Sequence, residues 1–228
     1  MESINLKIYI AQMAAIFLIL ALALFIPAGT IAWPAAWVFL GMNFILGGAI
    51  SMWLYRHNQG LMKERMGGLR SVQKAWDKVF SVPQSILSIA WLVIMPLDAV
   101  RFGWSRMPVW LQIVGAVILL GSFYLSFLVF RENPFLSSVV RIQKDRGQTV
   151  VSTGPYSYVR HPLYSAFLLY VVGTALLLGS WYGLLLGLVL TGMLAWRAIM
   201  EERMLREGLE GYDAYMVRVK YRIIPHVW

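Results

Sequence analysis

Residues 8–26, 32–54 and 108–130 carry no charged side chain. A helix needs about 20 apolar residues to cross the hydrocarbon core of a bilayer, so each run is long enough to span alone. Three further apolar runs, at about 84–100, 163–178 and 180–196, bring the expected crossings to six. The last two are short and joined by Gly179-Ser180, which reads as a tight helical hairpin. The expected fold class is therefore all-α, a polytopic membrane helix bundle forming a single integral membrane domain over residues 1–228. Composition agrees: 59% of the residues are hydrophobic and 14% charged, against about a quarter charged in an ordinary soluble domain. The first run lacks a small-residue cleavage site, so no removable signal peptide is expected.

Some chemistries are excluded at once. There is no cysteine, hence no disulfide, thiolate nucleophile or thiolate metal site. His57, His161 and His226 are too scattered for metal-ligand spacing. The net charge of +9 would suggest nucleic acid in a soluble chain, but here the cations cluster between apolar runs. The 56–82 segment holds Arg56, Lys63, Arg65, Arg70, Lys74 and Lys78, and 131–162 holds Arg131, Arg141, Lys144, Arg146 and Arg160. Beyond Arg197 the tail adds Arg203, Arg206, Arg218, Lys220 and Arg222. The alternate connections, 27–31 and 179–180, are uncharged, and 101–107 carries only Arg101 and Arg106. This alternation predicts both termini and both long loops in the cytoplasm, beside anionic lipid headgroups.

Two local features sit on this frame. In "LRSVQKAWDKVF", residues 69–80, Leu69, Val72, Trp76, Val79 and Phe80 share one helical face, with Asp77 and the cations elsewhere, which predicts a helix lying on the cytoplasmic leaflet. Asp98 is the one acid within a span. Its place near the end of that span, close to Arg101, reads as a boundary residue, although an intramembrane acid raises a functional possibility by default. Pro96 is expected to kink or end that helix.

The sequence "STGPYSYVRHPLYSAF", residues 152–167, interrupts the apolar pattern. Thr153-Gly154-Pro155 reads as a turn. His161 precedes a proline and so leans away from helical geometry, and Pro162 suits the first position of the fifth span. The motif delivers a helix N-terminus to the membrane surface, where backbone N–H groups and the positive dipole end can receive an anion. Tyr156, Tyr158 and Tyr164 would surround it with aromatic faces. An aromatic belt with a basic anchor accounts for the same residues.

Downstream, "WRAIMEERMLREGLEGYDAY" turns polar as it leaves the sixth span. Arg197 and Glu201 are four apart and share a helical face, with Glu202 on the adjacent one. An exit helix with a surface ion pair explains them; a pair holding an anion at Arg197 and an amine or hydroxyls at Glu201 explains them as well.

Together, "GPYSYVRHPLY", a short apolar hairpin, "RAIMEE" and "GYDAYMVRVKYRIIP" resemble the isoprenylcysteine carboxyl methyltransferase family, part of a wider group with phospholipid N-methyltransferases. The resemblance covers about residues 141–228; the N-terminal half matches only in spanning the membrane. It implies S-adenosylmethionine as methyl donor, a lipid-linked acceptor reached from the bilayer, and a catalytic, cofactor-binding core at 131–228 behind N-terminal spans at 1–130. It implies that Gln148, Thr149, Val150 and Val151 line the cofactor, that Tyr156 and His161-Pro162-Leu163-Tyr164 hold it, that Glu201 is the cofactor-binding acid, and that Arg197 positions the acceptor. Arg141 stands where the family has a glutamine, and the 148–150 match is poor in identity, leaving those contacts to backbone groups.

A carboxylate acceptor is ionised at neutral pH and needs no general base, so positioning and loss of water would carry catalysis. An amine acceptor must lose a proton, and Glu202 is the nearest candidate base. Phospholipid N-methylation is thus an alternative. So is an NADPH-dependent membrane reductase, since "KYRIIPHVW" is similar to the ending of sterol reductases. No span carries the central charges or paired broken helices of a transporter.

Overall fold

The structure, a computed structural model, describes residues 6–66, 75–137 and 140–228, and all regular structure among them is helical. Helix α1 (Leu6–Ala28) makes the first crossing and ends at Gly29, whose φ of +72° closes the turn. The second crossing begins with Pro34 in the first helical position and runs through α2 (Pro34–Met42), a π-helical segment at Asn43–Gly47 and α3 (Gly48–His57). The π segment sits at a polar point in the bundle: Asn43 Nδ2 donates to Phe39 O at 2.8 Å and Tyr170 donates its hydroxyl to Asn43 Oδ1 at 3.0 Å. A short basic helix, α4 (Gln59–Met66), follows, capped by Asn58 Oδ1, which accepts Leu61 N–H at 3.0 Å.

Helix α5 (Ala75–Pro96) makes the third crossing and passes at Pro96 into a π-helical segment, Leu97–Arg101. Only residues 75–80 of the expected interfacial helix fall among the described residues. There the segment is part of α5, with Phe80 buried, Val79 74% exposed, and Asp77 buried rather than turned to water. Helix α6 (Val109–Glu132) is the fourth crossing. α7 (Pro162–Leu178) and α8 (Trp181–Gly208) form the expected hairpin through Gly179, at φ +80°, with Ser180 Oγ accepting Gly183 N–H at 2.8 Å. α8 is not short: it continues past 196 to Gly208, carrying Arg197, Glu201 and Glu202 on regular helix. A final helix, α9 (Tyr212–Arg218), folds back beside it.

Glycines let the helices meet closely. A Cβ on Gly115 of α6 would lie 2.4 Å from Leu177 N, and one on Gly173 of α7 would lie 2.7 Å from Leu119 N. Gly183 and Gly187 give α8 a similar stripe against Met95 of α5 and Val171 of α7. Small residues at helix interfaces are how apolar helices associate in lipid, where burying more leucine gains little. The core thus formed holds Leu24, Phe39, Trp91, Met95, Leu119, Val171 and Leu190.

Asp98 departs from expectation. It is fully buried, and its Oδ2 accepts from Ser105 and Ser180 hydroxyls at 2.6 Å each and from Tyr182 N–H at 3.3 Å, not from neighbouring Arg101. It ties α5 to the α7–α8 hairpin at one end of the bundle. At the other end Tyr9, Leu54, Leu61 and Met62 pack with Phe130 and Leu136, which gathers the start of α1, the end of the second crossing and the end of α6.

Candidate functional site: a cavity at the basic end of the bundle

A cavity of about 310 Å³ opens where α6 stops, α7 begins and α8 leaves the bundle. Four segments shape it. Residues 143–151 form a loop turned by Gly147, at φ +61°. Gln148 Oε1 accepts Gln143 N–H at 2.7 Å, and the buried Gln143 in turn donates to Phe135 O. Gln148 therefore braces the loop while lining the cavity with Thr149, Val150 and Val151.

The 153–157 turn follows. Gly154, at φ +56°, lies against Glu132, whose Oε2 accepts the Thr153 hydroxyl at 2.8 Å. This seats buried Tyr156 in the wall: Asn133 Nδ2 donates to its hydroxyl at 2.8 Å, and its carbonyl accepts the Tyr215 hydroxyl at 2.8 Å. Burial pushes the Tyr156 phenol well above its ordinary range, so it stays neutral. Tyr158 turns away and is 71% exposed.

The third segment is the start of α7, with His161 in the cap position and Pro162 as the first helical residue. His161 and Tyr164 stack, ring centroids 5.3 Å apart and 6° from parallel. The fourth is α8, where Glu201 Oε2 accepts the Tyr164 hydroxyl at 2.9 Å, and Arg197 Nε donates to Asp77 Oδ1 at 3.1 Å. Asp77 Oδ2 also accepts Val140 N–H at 3.3 Å, so one buried carboxylate anchors both the guanidinium and the loop. The Arg197 guanidinium lies 5.8 Å from the Phe80 ring centre.

The fold brings Gln148, Thr149, Val150, Val151, Tyr156, His161, Pro162, Leu163, Tyr164, Arg197 and Glu201 to the wall of one cavity. Glu202 is not in that wall. It is 3% exposed, and Arg160 Nε at 2.7 Å, His161 Nε2 at 3.2 Å and Arg222 Nε at 2.9 Å meet its two oxygens. Both Glu202 oxygens are thus engaged by side chains outside α8.

Sequence reasoning missed Asp77, Asn133, Tyr212 and Tyr215. The tyrosines lie in the quoted "GYDAY" at the spacing of one helical face. Asp77 left no signal, because its partner Arg197 is far away in sequence.

Fold and cavity define a multi-pass integral membrane protein: five helices are long and apolar enough to cross a membrane, with the shorter apolar α7 beside them, and a small-molecule-sized site lies at the end of the C-terminal hairpin. Residues 110–210 match the family described as phospholipid methyltransferase. The chain is 31% identical over 102 residues to the protein-S-isoprenylcysteine O-methyltransferase of Schizosaccharomyces pombe, covering 44% of this chain and 43% of that protein. The fold matches that of a eukaryotic intramembrane Ras methyltransferase, isoprenylcysteine carboxyl methyltransferase, with a TM-score of 0.56 at 19% identity, over 96% of this chain and 76% of that one. The sequence likeness to these methyltransferases thus spans less than half of the chain, whereas the fold is shared over nearly all of it.

Proposed function

We propose that the chain transfers a methyl group from S-adenosylmethionine to the carboxylate of an isoprenylcysteine-type amphiphile. The observation that carries this is the convergence on one cavity of Arg197, Glu201, the α7 start and the 148–151 loop, with Arg197 and Glu201 each held from another helix.

The residues suit such a donor. The volume falls at the small end of the roughly 300–1,000 Å³ usual for small-molecule sites. Glu201 offers a carboxylate to an ammonium group, the α7 start offers its positive dipole end to a carboxylate, and Tyr212 and Tyr215 offer rings to a flat base. When bound, the donor supplies a methyl group on a sulfonium, already a good leaving group. The chain's part is positioning. Arg197 receives the acceptor's carboxylate on a planar fork suited to two parallel hydrogen bonds. That carboxylate is ionised at neutral pH, so no side chain need take a proton. Asp77 and Phe80 hold the guanidinium, and the apolar helices keep water from the nucleophile. The positive-inside rule puts this basic end, and the ends of the chain, in the cytoplasm.

The match to a phospholipid methyltransferase family favours a second reading, transfer to an amine headgroup. It needs a base, and Glu202 is closed off by its three partners.

Farnesylcysteine analogues separate the readings. With S-adenosylmethionine present, the free acid is expected to be methylated and the carboxamide, lacking the anion, not. Methylation of phosphatidylethanolamine with neither farnesylcysteine used would overturn the carboxylate reading. S-adenosylhomocysteine is expected to raise the melting temperature in detergent by mass action; stabilisation by NADPH alone would return the chain to the reductases.

A further inference from the structure

The 219–228 segment touches the α7 start at more points than a passing tail requires. Arg160 N–H donates to Tyr221 O at 2.9 Å and His161 N–H to Arg222 O at 2.8 Å. Arg160 Nη1 donates to Val219 O at 2.7 Å and Lys220 O at 2.9 Å. One turn into α7, the Ser165 hydroxyl donates to Ile223 O. The segment is closed on itself: Trp228 O accepts the N–H groups of Arg222, Ile223 and Ile224 at 2.9, 3.0 and 3.1 Å, and the Trp228 ring lies 4.9 Å from the Arg222 guanidinium.

Side chains complete the connection through Glu202. Arg222 Nε lies 2.9 Å from Glu202 Oε2, and Arg160 Nε and His161 Nε2 share Oε1. A carboxylate only accepts hydrogen bonds, so the 3.2 Å contact puts the imidazole proton on Nε2. His161 Nδ1 then faces Glu201, 3.9 Å from Oε2. The orientation of a cavity residue is thus set by a buried acid that Arg222, outside the cavity wall, helps to fix.

We propose that residues 219–228 are a strap that positions the donor end of the cavity, with Arg222 a positioning residue acting through Glu202 on His161. The proposal rests on the donor reading above and concerns that same site. Arg222 touches neither donor nor acceptor. Its effect therefore falls on one substrate only: the strap binds the α7 start, whereas Arg197 is anchored separately by Asp77.

The test compares the full chain with Arg222→Ala, Arg222→Lys and Arg206→Ala. The last removes an exposed pair, Arg206 Nε to Asp213 Oδ1 at 2.8 Å, that joins α8 to α9 without touching the strap. Calorimetry with S-adenosylhomocysteine is expected to show at least tenfold weaker binding for Arg222→Ala, partial recovery for Arg222→Lys, and no change for Arg206→Ala. In turnover the donor KM should rise by a similar factor while the acceptor KM stays within twofold, a split that general loosening of the fold would not give. Binding by Arg222→Ala within twofold of the unaltered chain, or equal rises in both KM values, overturns the strap. If Arg222→Ala does not fold, Arg222→Lys decides on the same split at about threefold. If the unaltered chain itself does not bind S-adenosylhomocysteine, the donor reading fails, and hydrogen exchange decides the strap. Faster exchange at Arg160 and His161 N–H in Arg222→Ala, with Arg206→Ala unchanged, supports it; unchanged exchange overturns it.

Discussion

Glu201 and Glu202 are neighbours with opposite surroundings. The Glu201 side chain is 28% exposed in the cavity wall and takes one hydrogen bond from Tyr164; the Glu202 side chain is 4% exposed between two arginines and a histidine. Removing one partner of a buried ion pair costs about 3–5 kcal/mol, because the charges left behind are uncompensated. Glu202→Gln is therefore expected to lower the melting temperature markedly, whereas Glu201→Gln should keep the fold and lose affinity for S-adenosylhomocysteine. Thermal melts with and without that ligand separate the two, and equal melting temperatures would show that Glu202 is not the hub its contacts describe. For Arg197, substitution by alanine should abolish methylation of a carboxylate acceptor while the donor analogue still binds. Lysine should recover only part, since it keeps the charge and loses the planar fork. Sequence made the 197/201 face legible, because helical spacing is a local property. It could not tell which consecutive glutamate turns inward, since that depends on Arg160 and Arg222 arriving from other segments.

Individual elements carry a different lesson. Hydropathy stops at Trp196, and an apolar-run reading ends α8 there; the helix continues because tertiary contacts support its polar turns. Arg197 meets Asp77, Glu202 meets Arg160, and Trp196 stacks on Phe80 at 5.7 Å. The same contacts draw Asp77 and Phe80 into the bundle, where local periodicity puts Asp77 on a watery face. Asp98 is also fixed by non-local serines. The apolar helices, by contrast, were legible in place, since solvation by lipid depends on composition along the chain; five are long enough to cross, and the fifth of the six expected runs is the shorter α7. Their close packing rests on particular glycines. A methyl group on Gly115 would meet backbone, which cannot swing aside, while Gly121 and Gly192 have nothing within 4 Å of an added Cβ. Gly115→Ala is expected to destabilise by about 1–3 kcal/mol through overpacking, despite alanine's better helix propensity. Gly121→Ala and Gly192→Ala should be neutral or mildly stabilising by propensity alone. Melts of the three variants in one detergent check this ordering, and an unharmed Gly115→Ala would mean that α6 and α7 do not sit this close.

Across the whole molecule, the α1 start, α4, residues 140–160 and the α8–α9 exit share one end of the bundle. Most of the described cations fall on that end as well, with Arg101 and Arg106 at the other. The positive-inside rule then predicts an orientation: the lysine and arginine excess belongs on the cytoplasmic side, where the cavity would meet a soluble donor while its acceptor stays in the bilayer. The absence of cysteine makes this directly measurable, because a single introduced thiol has no background. Lys144, exposed at the basic end, and Arg106, exposed in the connection at the other end, are suitable sites. With a membrane-impermeant maleimide, Arg106→Cys should react in intact cells and Lys144→Cys only after the membrane is opened. Inside-out vesicles should reverse the pattern. Reaction of Lys144→Cys in intact cells would place the cavity on the outer side, away from a cytoplasmic donor. Since neither residue lines the cavity, an unchanged melting temperature in both variants would show that the labelled protein is the native fold. The side of the membrane would then be read independently of the chemistry it serves.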